Sequence, residues 1–197
     1  MTQAVIFDFG NVIIHWQPEV AVAQMFDSAQ AARDGLKAVG FFEWNAQHLD
    51  GGTPIHEALA MVGEDVRPLF ATYVDNIGLA HAKHVAGVSE LIERLHGHLR
   101  LFGMTNASEL AAASVARNAP CLGLLEDTFI SGRERLSKPS PEAFECLLTR
   151  NNLAARACVF VDDSAVNVDG ARAVGIDAIH FIDAGQLEQD LIKRKLL

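Results

Sequence analysis

Four stretches of the sequence carry side chains able to act together: Asp8, Thr105-Asn106, Lys138 and Asp162-Asp163. They offer anionic carboxylates, a lysine of opposite charge, and hydroxyl and amide groups that donate hydrogen bonds. Asp8 ends the apolar run Ala4-Val5-Ile6-Phe7 and is followed by Phe9, then by Gly10-Asn11, which open a tight turn. Such a run, stopping at a carboxylate, reads as a buried strand with Asp8 at its carboxyl end. In open α/β sheets, ligands bind beyond the carboxyl ends of the strands. Singly, each stretch has a plainer reading. A strand-end Asp caps or turns, Thr-Asn enters a helix, a lysine is usually solvated, and Asp162-Asp163-Ser164 caps a helix. Found in this order at successive strand ends, they point to one shared site.

The elements that must position these residues follow from periodicity and punctuation. Strands are expected over Leu99–Met104, Asp127–Ile130, Cys158–Val161 and Ala178–Ile182, besides the first. Helices are expected at 88–97 and 108–118, from Ser140-Pro141-Glu142, and from Ser164 to Gly175. A polar loop is expected from residue 131 through Lys138. Between Pro18 and about His84 the pattern is helical throughout: Glu19–Phe26, Ala29–Val39, a segment from Phe41 to Gly51-Gly52, one capped by Thr53 with Pro54 first, and Arg67–Ile77. Strands alternating with helices of this length imply a parallel, doubly wound α/β sheet. The helical block reads as an insertion after the first strand. The expected division is therefore an α/β core of residues 1–16 and 84–197, with residues 17–83 forming a separate helical unit.

Composition narrows the function classes. The 197 residues carry 16 basic and 25 acidic side chains, a net charge of −9. That charge argues against nucleic-acid binding, which needs a basic face. A small phosphorylated substrate remains compatible, because a metal ion and one lysine can reverse the field locally. Cys121, Cys146 and Cys158 are odd in number and lack metal-type spacing, so buried thiols in a reducing compartment are expected. There is no signal-peptide pattern and no apolar run long enough to span a membrane. The expectation is a cytoplasmic monomer or weak homodimer with no membrane partner.

The segments Ile6-Phe7-Asp8-Phe9-Gly10-Asn11-Val12, Met104-Thr105-Asn106, Lys138-Pro139-Ser140-Pro141-Glu142 and Phe160-Val161-Asp162-Asp163-Ser164-Ala165-Val166-Asn167 resemble the four motifs of the haloacid dehalogenase superfamily. The resemblance runs nearly end to end. It implies a Rossmann-like, five-stranded parallel core with a small, mobile, all-helical cap. It also implies roles. Asp8 would be a nucleophile forming an aspartyl-phosphate. The Thr105 side chain and the Asn106 N–H would hold phosphate oxygens. Lys138 would bridge the phosphate and Asp8 and keep Asp8 ionised. Asp8, the Gly10 carbonyl and Asp163 would bind Mg²⁺, with Asp162 direct or through water, and Asn167 would orient a loop. The implied function is Mg²⁺-dependent hydrolysis of a small phosphorylated metabolite.

One departure stands out. Phosphatases of the superfamily usually place a second Asp two residues after the nucleophile as general acid and base. Here that residue is Gly10. The Asp8-Phe9-Gly10-Asn11 arrangement is similar to a branch that includes bacterial sugar phosphatases acting on glucose 1-phosphate. His15 is a candidate substitute acid or base. Two alternatives remain: a 2-haloacid dehalogenase, and a binding or regulatory protein on a weakened enzyme fold. The dehalogenase reading leaves Asp162-Asp163 unpaired near an anionic substrate. Trp16, Phe41, Phe42 and Trp44 are read as packing residues of the helical unit.

Overall fold

The computed structural model describes residues 2–197. Its strands β1 (Ala4–Phe7), β2 (Arg100–Thr105), β3 (Asp127–Ile130), β4 (Cys158–Asp162) and β5 (Asp177–His180) form one five-stranded parallel sheet in the order β3-β2-β1-β4-β5. From β1 the chain steps outward through β2 to β3, then returns to β4 on the other flank of β1. The change of direction thus falls beside β1, where sheets of this kind open a crevice at their carboxyl ends.

Every residue of β1 and β4 is buried. The alternation of side chains along a strand divides them between two layers. Val5 and Phe7 join a core with Leu91, Ile92 and Leu95 of α7 (Val88–Leu95) and Leu187 and Leu191 of α12 (Ala184–Lys193). Ala4 and Ile6 face the other way, onto Phe144 and Leu147 of α10 (Pro141–Arg150) and Val168 and Ala171 of α11 (Ala165–Ala173). Burial on both faces explains why these strands are continuously apolar rather than alternating. Helix α8 (Glu109–Asn118) follows β2, and Ser108 caps it by accepting from Ala111 N at 3.1 Å.

The segment between β1 and α7 is helical, comprising α1 (Pro18–Ala21), α2 (Ala29–Ala38), α3 (Phe41–Trp44), a π-helical turn (Asn45–Leu49), α4 (Ile55–Ala60), α5 (Arg67–Asp75) and α6 (Ile77–Ala80). It surrounds a third core, which Ala107 and Ala111 beside the start of α8 join. Phe41 sits at its centre, with ring centroids 4.6 Å from Tyr73 and 5.4 Å from Phe70. The aromatics Phe41 and Trp44 are packing residues, as expected. The chain leaves and re-enters the sheet layer through two segments that pair, Val85 N donating to Ile13 O and His15 N to Lys83 O. No helix among the described residues is long and apolar enough to cross a membrane.

Three local expectations need correction. Glu19–Phe26 is not one helix: α1 stops at Ala21 and a single tight turn covers Ala23–Met25. Thr53 is not the cap of α4: Pro54 holds that position with ψ at 137°, so the helix starts one residue later and no side chain caps it. The expected loop after β3 begins with a short helix, α9 (Ser131–Glu134). Its first turn is fixed by a tertiary bond, Gly132 N to Ala107 O at 3.1 Å, which local sequence cannot reveal.

Phe41→Ala should destabilise the protein by about 3–5 kcal/mol, the usual loss for emptying a buried Phe site. Denaturant unfolding measures it. A loss below about 1 kcal/mol would mean that the aromatic cluster does not hold the helical layer together.

Candidate active site

The four stretches converge at the carboxyl end of the sheet. Lys138 is the hub. Its ammonium donates to Asp8 Oδ1 at 2.7 Å, to Asp162 Oδ2 at 2.7 Å and to the Met104 carbonyl at 2.9 Å. All three of its protons are thereby used. The loop bearing it is pinned by Asn106, whose side chain accepts from Lys138 N at 2.9 Å and donates to Lys138 O at 2.8 Å. The Asn106 side chain is thereby committed to the lysine's loop through both its oxygen and its nitrogen. Thr105 precedes it at the end of β2.

The acidic pair divides its work. Asp162 is fully buried and accepts from Lys138, from Ser164 N at 2.8 Å and from Asn167 Nδ2 at 3.1 Å on each oxygen. It is an anchor for the lysine, and Asn167 orients it. Asp163 is only part-buried and accepts from Asn11 Nδ2 at 3.2 Å. Asn11 adopts a left-handed conformation, φ 56°, which Asn tolerates better than most side chains. Its Oδ1 accepts from Trp16 N at 3.2 Å, so one side chain ties the turn after β1 to Asp163 and to the exit of the chain.

Carboxylate oxygens of Asp8, Asp162 and Asp163 lie within 4.8 Å of one another. Burial, reinforced by the charge of Asp162 and opposed by Lys138, pushes Asp8 up to about 7. Burial alone would lower Lys138, but Asp8 and Asp162 outweigh it and hold the ammonium above its ordinary value. Asp163 is raised by burial and by Asp162. Lys138 thus does not by itself secure the ionised form of Asp8, because burial, with the charge of Asp162 added, outweighs it. Three carboxylates facing one ammonium leave surplus negative charge on hard oxygen donors. That is the donor set and charge a Mg²⁺ ion fits.

A cavity of about 90 Å³ is bounded by Gly10, Thr105 and Asn106, at the ends of β1 and β2, and by Asn45, Asp50 and Tyr73 of the helical layer. A Cβ built on Gly10 meets nothing within 4 Å. The turn does not require glycine there; the missing side chain leaves open space. His15 does not bound this cavity, whereas Trp16 does. Asn11, Asn45 and Asp50 were not marked out as site residues by the sequence.

The chain is similar to known proteins along nearly its whole length. The sequence profile of haloacid dehalogenase-like hydrolases matches residues 2–175. The sesquiterpene phosphatase astK of Aspergillus oryzae is 25% identical over 186 residues, 92% of this chain and 91% of that protein. The drimenol cyclase drtB of Aspergillus calidoustus is 25% identical over 97% of this chain but 36% of its own length, so the chain spans about a third of that relative. Among solved structures, a haloacid-dehalogenase-family enzyme of Bacteroides thetaiotaomicron, in complex with magnesium and inorganic phosphate, superposes with a TM-score of 0.72 at 17% identity, over 95% of this chain and 99% of the other. With its strand-end carboxylates and lysine gathered on that fold and the profile covering most of its length, the chain belongs to the haloacid dehalogenase-like hydrolases.

Proposed function

We propose that this hydrolase is a Mg²⁺-dependent phosphatase acting on a small phosphorylated metabolite through an aspartyl-phosphate on Asp8. The observation that carries the reading is the surplus of carboxylate over ammonium around Asp8. It suits a substrate that arrives with a divalent cation and disfavours haloacid displacement, which brings an anion and no metal. The phosphatase among the relatives, similar over nearly its whole length, supports the same reading.

Asp8, Asp163 and the Gly10 carbonyl would hold the ion, which supplies charge neutralisation at the transferring phosphoryl group when bound. The Asp8 carboxylate attacks phosphorus and the bond to the leaving oxygen breaks. Lys138 offsets charge beside the forming bond while Asp162 keeps it in place. The Thr105 hydroxyl and the Asn106 N–H hold phosphoryl oxygens. Water then attacks phosphorus, releasing inorganic phosphate and restoring Asp8. The cavity is far smaller than the roughly 300–1,000 Å³ of pockets that enclose whole ligands. Entry of a substrate such as a hexose 1-phosphate, suggested by the Asp8-Phe9-Gly10-Asn11 turn, therefore needs the helical layer to move. The working setting is a reducing cytoplasm, as a monomer or weak homodimer.

Asp8→Asn should fold and lose turnover by several orders of magnitude, because an amide cannot attack phosphorus. Steady-state release of phosphate from a generic aryl phosphate measures it. Chelation should abolish activity and Mg²⁺ restore it, and Asp163→Ala should raise the Mg²⁺ requirement by about tenfold or more. Full activity in excess chelator would contradict the metal assignment.

Lys138→Met should destabilise the fold by about 3–5 kcal/mol near pH 8 by leaving Asp8 and Asp162 uncompensated. The deficit should shrink towards pH 5. Asp8, already raised, then keeps its proton in the fold at pH values where the unfolded chain has lost it. Stability therefore falls as pH rises above about 4. Denaturant unfolding of both proteins across this range gives the comparison.

A further inference from the structure

We propose that the carboxyl of Asp50, carried by the helical layer, protonates the departing oxygen in place of the side chain absent at Gly10. The inference rests on the phosphatase reading and supplies the acid which that reading lacks. Asp50 bounds the same cavity as Gly10, Thr105 and Asn106, residues that the phosphatase reading places around the phosphoryl group. Among the described residues it is the only carboxyl that does so.

Its placement is built, not incidental. The π-helical turn Asn45–Leu49 delivers Asp50, whose N–H donates back to Asn45 O at 2.9 Å. Such turns are rare and frequent at functional sites. Asn45 Nδ2 donates to Asp50 Oδ2 at 2.8 Å, and Ser108 N to Oδ1 at 3.1 Å. The Asp50 carbonyl accepts from Ser131 Oγ at 2.6 Å, and that hydroxyl in turn accepts from Ala107 N at 2.9 Å. Gly52, φ 82°, lets the backbones close: a Cβ there would lie 2.3 Å from the Gly132 carbonyl. Asp50 is thus clamped against the loop that follows Thr105 and Asn106. Each of its oxygens receives one hydrogen bond from these partners, and a carboxyl with this pattern can still carry a proton to donate.

Burial pushes Asp50 up to about 7, opposed by the bonds from Ser108 and Asn45, and acids poised near the working pH transfer protons most effectively. The other titratable groups facing it are poorer donors. Burial raises the Tyr73 hydroxyl further, and the nearby charge of Asp50 adds to this. Burial lowers His81, and its Nδ1 lies 3.0 Å from the Ile77 carbonyl, which can only accept. The proton of neutral His81 therefore sits on Nδ1, leaving Nε2 without one. In the step itself, Asp8 bonds to phosphorus, the bond from phosphorus to the leaving oxygen breaks, and that oxygen takes the Asp50 proton to leave as an alcohol. In the second step the Asp50 carboxylate takes a proton from the attacking water.

The test compares two phosphates in Asp50→Asn, which keeps an acceptor for Ser108 N. The rate at which a primary alkyl phosphate phosphorylates Asp8, read as kcat/KM, should fall about 10²–10⁴-fold, the usual contribution of an acid. The same rate for 4-nitrophenyl phosphate, whose leaving group needs no proton, should stay within about tenfold, because loss of the base slows only the later hydrolysis that both substrates share. Gly10→Asp in the same background should restore the alkyl reaction. The wild type gives a measurement that needs no variant. The ratio of alkyl to aryl kcat/KM should fall as pH rises through the ionisation of Asp50, since Asp8 affects both substrates alike. Equal losses on both substrates with a pH-independent ratio, or no loss on either, would overturn the assignment. No Asp8-dependent phosphate release from any substrate by the wild type would instead overturn the phosphatase reading, and this proposal with it.

Discussion

The buried ammonium of Lys138 holds the end of the sheet together. β1, β2 and β4 each bring an acceptor to it: Asp8, the Met104 carbonyl and Asp162. A lysine so enclosed would be expensive without full pairing, and the chain supplies that pairing on all three protons. Other features follow. Asn106 must fix the lysine's loop, Asn167 and Ser164 N must fix Asp162, and Asp163 is left facing outward with one partner. The same arrangement leaves more negative than positive charge on hard oxygen donors, a set that a divalent cation fits.

The helical layer completes the site from above. Its fixed point is the close approach of residues 49–52 to the loops after β2 and β3, where Asp50, Ser108 and Ser131 interlock. The seam also has an apolar part, because Ala107 and Ala111 around the start of α8 pack into the core of the helical layer. Trp16 Nε1 donates to Tyr73 Oη at 3.2 Å, a further hydrogen bond at the edge of the cavity.

The parts of this design visible in the sequence are those with local causes. β1 and β4 announce themselves because burial on both faces makes them continuously apolar, and Ser108 and Pro141 mark helix starts through capping and fixed φ. Asp8, Thr105, Lys138 and Asp163 stand out because strand ends are where such sheets place ligands. Asp50 does not. Its bonds reach 58 residues to Ser108 and 81 to Ser131, and it sits in a stretch that otherwise reads as a helix end before paired glycines. Helix α9 was missed for the same reason, since a tertiary bond fixes its first turn. The open space at Gly10 was hidden because a glycine after a strand suggests a steric requirement that the fold does not impose.

The central claim is that phosphoryl transfer passes through Asp8. The most direct measurement is acid quenching of a single turnover, with Mg²⁺ and an aryl phosphate, followed by mass spectrometry of the peptide spanning Asp8. The account predicts a transient phosphoryl adduct on Asp8 that forms as the phenol is released and decays as inorganic phosphate appears. A phosphoryl adduct that forms and decays on another residue, with none on Asp8, would contradict it.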